Sequence, residues 1–219
     1  MKKVFYLLAC FLLLAGCSTK AVPDWIKASH NQLESFKKHY LQGRDHLAEI
    51  NFKKAIDEIK SSGDLHLLQI AYLTRYAVQG SVLEGFDDLE YLRLAAVEPH
   101  SENVHFHAFL KGAFDRVDEQ TLPQQYRSFL RACKNGKQVE IDNAIAAIED
   151  PLSKLIAAGL AVHKQLYHET TLNAAIRMAS EQGWKKALLV YLKKLRIFYE
   201  SINDREKADI TQQRIDLIK

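Results

Sequence analysis

Apolar residues recur along the chain at the three-and-four spacing that returns a side chain to one face of an α-helix on every turn. Phe106, Phe109, Leu110, Ala113, Phe114 and Val117 form one such stripe. Leu152, Leu155, Ile156, Gly159 and Leu160 form a second, and Trp184, Ala187, Leu188, Tyr191, Leu192, Leu195 and Tyr199 a third. The period-two alternation of a half-buried strand is sustained nowhere in the 219 residues. Breakers at Gly43, Gly63, Gly80, Gly85, Pro99, Pro123, Gly136, Pro151 and Gly183 divide the chain into segments of about 13 to 20 residues, so about ten helices are expected. The fold class is therefore all-α. Leu65 to Val78 is apolar on most faces, which predicts an inner helix covered on both sides. Ser101, Asp150 and Asp204 stand where an N-cap oxygen is needed, Pro151 where a first helical residue belongs, and Gly63 and Gly183 where a left-handed turn would end a helix.

Internal similarity refines this class. Gly183-Trp184-Lys185-Lys186-Ala187-Leu188, followed by Tyr191 and Leu195, resembles the second helix of a tetratricopeptide repeat, with Ala174 and Ala175 as the small residues on the preceding helix. Ala48, Phe52, Ala55 and Ile56 leading to Ser61-Ser62-Gly63-Asp64 resemble the end of another repeat and its turn, and Gly85-Phe86 with Leu89 and Ala96 before Pro99 a third. The resemblance covers about half of the chain after its leader. It implies antiparallel helix pairs stacked as a tetratricopeptide-like superhelix or α-solenoid, an irregular helical bundle being the alternative. Asp45 departs from the pattern where an aromatic belongs.

The amino-terminal segment is of another kind. Lys2 and Lys3 precede an unbroken apolar run from Val4 to Leu14, after which Ser18, Thr19 and Lys20 follow almost at once. A helix that crosses a bilayer needs about 20 apolar residues, so residues 1–16 read as a signal segment. Leu14-Ala15-Gly16-Cys17 resembles the lipobox of bacterial lipoprotein precursors. That resemblance implies cleavage before Cys17, acylation of its thiol and new amine, and a short lipidated tether over residues 17–22. Residues 23–219 then form a single helical domain. Ser18 in place of aspartate implies delivery to the outer membrane, facing the periplasm.

The formal charge is +3, and removal of Lys2 and Lys3 leaves +1, which supplies no electrostatic footprint for nucleic acid. With Cys10 in the signal and Cys17 acylated, Cys133 has no intramolecular partner and reads as a small buried hydrophobe. His100, His105 and His107 are the densest histidine group. Residues two apart on a helix point about 200° from each other, so no metal site is expected, and these rings read as solvated flanks of the Phe106 stripe. His163 continues the Leu152, Ile156, Gly159 stripe and so faces the interior or a groove. Glu34-Ser35-Phe36 resembles the catalytic signature of lytic transglycosylases, but Lys37, Lys38, His39 and Tyr40 continue a helix where that family has a glycine-rich stretch. Lys185, Lys186, Lys193, Lys194 and Arg196 read as a solvated basic face.

No catalytic residue and no cofactor are expected. The residues singled out are Cys17 for lipidation, and His163, Trp184 and Tyr191 for a groove or for packing. Stacked helix pairs commonly bind protein segments along a concave surface. The expectation is an envelope adaptor or assembly factor, held to membrane lipid by Cys17 and binding a protein partner. Pilotins and the accessory subunits of outer-membrane assembly machines are similar in design. The rivals are a peptidoglycan hydrolase, which needs a carboxyl group of raised pKa in a cleft, and a carrier with a closed apolar pocket.

Overall fold

Helix boundaries follow local chemistry that is visible residue by residue. Ser153 N–H donates to the Asp150 carboxylate (2.7 Å), Leu67 N–H to Asp64 (2.8 Å) and Lys207 N–H to Asp204 (3.2 Å), satisfying donors that a helix start leaves open. Gly63 (φ 72°) and Gly136 (φ 69°) close two helices in the left-handed conformation that costs glycine little. The computed structural model describes residues 23–219. The signal segment 1–16, Cys17 and the tether 17–22 lie outside the described residues.

Eleven α-helices and no strand are found among the described residues. They are α1 (Asp24–Leu41), α2 (Asp45–Ser62), α3 (Leu65–Ser81), α4 (Leu89–Val97), α5 (Ser101–Leu110), α6 (Gln124–Asn135), α7 (Gln138–Ala147), α8 (Pro151–His163), α9 (Glu169–Glu181), α10 (Lys185–Ser201) and α11 (Arg205–Ile218). Two single 3₁₀ turns, Phe114–Arg116 and Glu119–Thr121, join α5 to α6. Connections of two or three residues, as at Gly63-Asp64, make neighbours antiparallel. The α1–α2, α9–α10 and α10–α11 pairs pack most extensively. The fold is thus all-α, a solenoid-like succession of paired helices.

Two long-range packings shape that succession. α3 lies against α8, and α1 against α10. One apolar core gathers Phe36, Phe52, Leu192 and Leu195 from α1, α2 and α10 with residues of α9 and α11. A second gathers Phe109, Phe129, Leu130 and Ile141 from α5, α6 and α7. α3 and α8 belong to both. Leu68, Ala71 and Val78 of α3 face the first core, and Leu73, Tyr76 and Ala77 the second. In α8 every residue from Leu155 to Val162 is buried, as the all-round apolar character of an inner helix requires. The covered position expected for Leu65–Val78 is borne out.

Gly159 sets the distance between these two central helices. A Cβ there would clash with Gly80 O, well inside van der Waals contact distance, and lie 3.1 Å from the Gly80 carbonyl carbon and 3.2 Å from Ser81 Cα. The helices therefore meet backbone to backbone. Gly80 is not the breaker expected of it, since α3 runs through it to Ser81, and it is the missing side chain of Gly159, not that of Gly80, that the close crossing uses. The stripe from Phe106 to Val117 is likewise not one helix. α5 stops at Leu110 and Gly112 turns with φ 68°, although Phe109, Leu110, Phe114 and Val117 are all buried. At the start of α5, His100 and not Ser101 occupies the cap position.

Cys133 is buried on α6, and burial pushes its thiol up to about 12. Because the thiolate is the reacting form, Cys133 in a folded variant with Cys10→Ser and Cys17→Ser is expected to be left unreacted by a water-soluble disulfide reagent at about pH 8. The same variant unfolded in urea should react within minutes. Rapid labelling of the folded variant would refute the assigned packing.

Candidate functional site

The seam between α3 and α8 opens at one end into a cavity of about 470 Å³. Gly80 and Gly159 are among its lining residues, and a Cβ at Gly80 would stand in open space. Leu83, Phe86, Leu110, Leu160 and Val162 give it apolar sides, and Glu84, Lys111, His163 and Lys194 supply charge and polarity. It is half-open, neither an enclosed apolar chamber nor a flat face. Leu83 adopts φ 60° just past the end of α3, where its N–H donates to Gly80 O (3.0 Å) and Glu84 N–H to Gln79 O (3.0 Å). Glycine is the residue that normally holds such a position, and a bulky side chain there is a backbone outlier.

The charges around the cavity are unequally satisfied. Lys186, near the start of α10, bonds Asp45 and Glu84, each at 2.9 Å, and sits 3.9 Å above the Tyr40 ring. Burial works against its ammonium, but the bonds from Asp45 and Glu84 outweigh that and hold its pKa above the ordinary value. Tyr40 O–H donates to Glu84 as well, and burial with that bond pushes the phenol up to about 12. This node joins the ends of α1 and α3 and the start of α2 to α10, so Lys186 does not stand on the solvated face expected of the basic cluster.

On the opposite lip, Asp88 accepts from Lys111 (3.0 Å) and His107 Nε2 (2.9 Å). Burial raises the Asp88 pKa, yet these two donors prevail and leave it lowered. Burial also depresses His107, against the pull of Asp88, so the ring is neutral at pH 7 and its Nε2–H is the donor. Lys194 differs from the other lysines at the site. Its Nζ lies 5.1 Å over the Tyr167 ring, and among the described residues it forms no ion pair.

The residues singled out from sequence separate here. His163 lines the cavity, though its own side chain is exposed. Tyr191 is a packing residue, fully buried, with its hydroxyl 3.4 Å from Leu155 O. Trp184 is half-buried and lines a smaller space of about 280 Å³ beside Glu34, Lys37 and Asp150. Glu34 bonds Lys37 at 2.5 Å and is half exposed. The histidines His100, His105 and His107 turn to Glu98 (3.0 Å), Arg116 O (3.2 Å) and Asp88, three separate partners. His107 is not the solvated flank expected, since it stacks on Tyr91 with ring centroids 4.5 Å apart. Among the described residues, no group of three or more His, Cys, Asp or Glu is placed to hold a metal ion, and no helix is long and apolar enough to cross a membrane.

No family model, curated protein or solved structure matches the chain. The site is therefore read from its own chemistry. Of the rival expectations, the hydrolase needs a cleft carboxyl of raised pKa, and the two displaced carboxyls, Asp88 and Glu140, are both displaced downward. For Glu140 the Asn135 side-chain amide is the main cause, followed by Lys137. Sequence reasoning missed Leu83, Phe86 and Lys111 because each is brought to the cavity by a turn beyond a helix end, where apolar periodicity carries no information.

Proposed function

We propose that this protein is a lipoprotein of the bacterial cell envelope, held by acyl chains on Cys17 in the outer membrane and facing the periplasm. Its helical array acts there as an adaptor or assembly factor for a protein partner, in the manner of pilotins or accessory subunits. The reading rests on the lipobox-like Leu14-Ala15-Gly16-Cys17 preceding paired helices that carry a half-open cavity lined in part by glycine. The tetratricopeptide-like character belongs to the same proposal. It is supported by Ala175, Ala187 and Tyr191, all buried where α9 packs on α10. A chain segment can enter such a cavity side chain first, with its backbone outside.

The test is made in intact bacteria producing the full chain. Wild-type protein is expected to incorporate labelled palmitate and Cys17→Ser to incorporate none. Photo-crosslinking from positions around the cavity should recover the same envelope assembly repeatedly. Palmitate uptake by Cys17→Ser would overturn the anchor. Release of labelled glycan by the purified protein would overturn the adaptor role.

A further inference from the structure

Three features of the α3–α8 cavity point to one class of occupant. Its sides are largely apolar and glycine contributes to its lining, so it accepts a compact hydrophobic group. Among the described residues its charges are matched except for one. Glu84 is held by Lys186 and Tyr40, and Lys111 is held by Asp88, which leaves the Lys194 ammonium at the rim facing only the π-face of Tyr167. His163 stands beside it. Leu83, finally, keeps a left-handed backbone that a leucine adopts at a cost of about 1–2 kcal/mol. Glycine would relieve that strain and remove the side chain from the cavity wall.

We propose that the cavity captures the C-terminal residue of a partner polypeptide, with an apolar side chain seated between Leu83, Phe86 and Leu160 and the terminal carboxylate at Lys194. The assignment rests on the adaptor reading and names the feature of the partner that is recognised. A chain terminus carries a carboxylate and an apolar side chain on one residue, a pairing that the main chain of a segment passing through does not offer. A half-open cavity of about 470 Å³ accommodates one large side chain with part of the residue before it. A carboxylate completes the site because it offers the Lys194 ammonium, which has no anionic partner among the described residues, a charge-assisted bond.

The experiment uses the full chain in detergent and a fluorescein-labelled hexapeptide, Gly-Ser-Gly-Ala-Leu-Phe, with either a free carboxylate or a C-terminal amide. Anisotropy is expected to give saturable binding of the carboxylate and at least tenfold weaker binding of the amide. Lys194→Gln should abolish that difference without moving the thermal melt, and Leu83→Gly should weaken both peptides while the melt stays within a few degrees. Equal affinity for acid and amide overturns the proposal, as does absence of saturable binding. Decanoate binding with no peptide binding overturns it in favour of a free amphiphile. Envelope crosslinks that persist in cells while these peptides fail would leave the adaptor reading standing and remove only the cavity as its site.

Discussion

Gly159→Ala is expected to destabilise the protein by about 2 kcal/mol, whereas Gly80→Ala, the other side of the same crossing, is expected to be neutral or to stabilise it slightly. Both residues are helical, so alanine improves helix propensity by about 1 kcal/mol at either position. The sign is decided by what the new methyl meets. At Gly80 it meets nothing within 4 Å. At Gly159 it meets the Gly80 carbonyl, and main chain cannot swing aside as the end of a lysine can. Relief requires the helices to part, which loosens both cores along their length, and overpacking of this kind typically costs about 1–3 kcal/mol and occasionally more. Gly159→Val adds two further methyls and should abolish the cooperative melt. Thermal unfolding followed at the helical circular dichroism band checks the series. Equal effects at the two glycines would mean that α3 and α8 do not cross as described.

Phe129→Ala is expected to lower stability by about 3–5 kcal/mol, the range for a fully buried phenylalanine, and the tryptophans should report it in full. Phe129 is 0% exposed in the second core, edge-on to Phe109 (6.1 Å) and Phe114 (6.2 Å). The chain has two tryptophans. Trp25 lies on α1, and Trp184 packs against the first core. Neither touches the second core, yet α3 and α8 contribute side chains to both, and neither core can survive the loss of its shared wall. Urea unfolding should therefore show one transition, with fluorescence and circular dichroism displaced together to a lower midpoint. A tryptophan transition unmoved by Phe129→Ala, beside a biphasic dichroism curve, would show that the cores unfold separately.

Individual helices were legible where the signal was local. Asp150-Pro151 marked the start of α8 through cap chemistry confined to four residues, and the run from Leu65 to Val78 announced an inner helix because it is apolar on most faces. Of the third stripe, Ala187, Tyr191, Leu192, Leu195 and Tyr199 are the buried residues of α10, while Trp184 and Leu188 are half-buried. Legibility failed where one residue type serves two purposes. Glycine breaks helices and also lets them touch, and nothing adjacent to Gly80 tells which. Lysine usually marks a solvated face, but Lys186 meets carboxylates separated from it by 141 and 102 positions, a pairing that no local pattern can encode. The stripe through Phe114 was right about burial and wrong about the helix, because 3₁₀ turns at 114–116 and 119–121 keep apolar residues inward at nearly the same spacing. The cavity was legible only at His163.

The placement of the cavity across the α3–α8 seam has a mechanical corollary. Two helices that abut through glycine main chain have no interlocking side chains at the point of contact, so sliding of one half of the molecule past the other meets little local resistance there. A guest lodged between Gly80, Gly159 and the turn at Leu83 becomes a keystone, touching both halves at once. At a hundredfold excess over its dissociation constant such a guest adds about 2.7 kcal/mol against unfolding, and loading would stiffen the whole protein through the joint that both cores share.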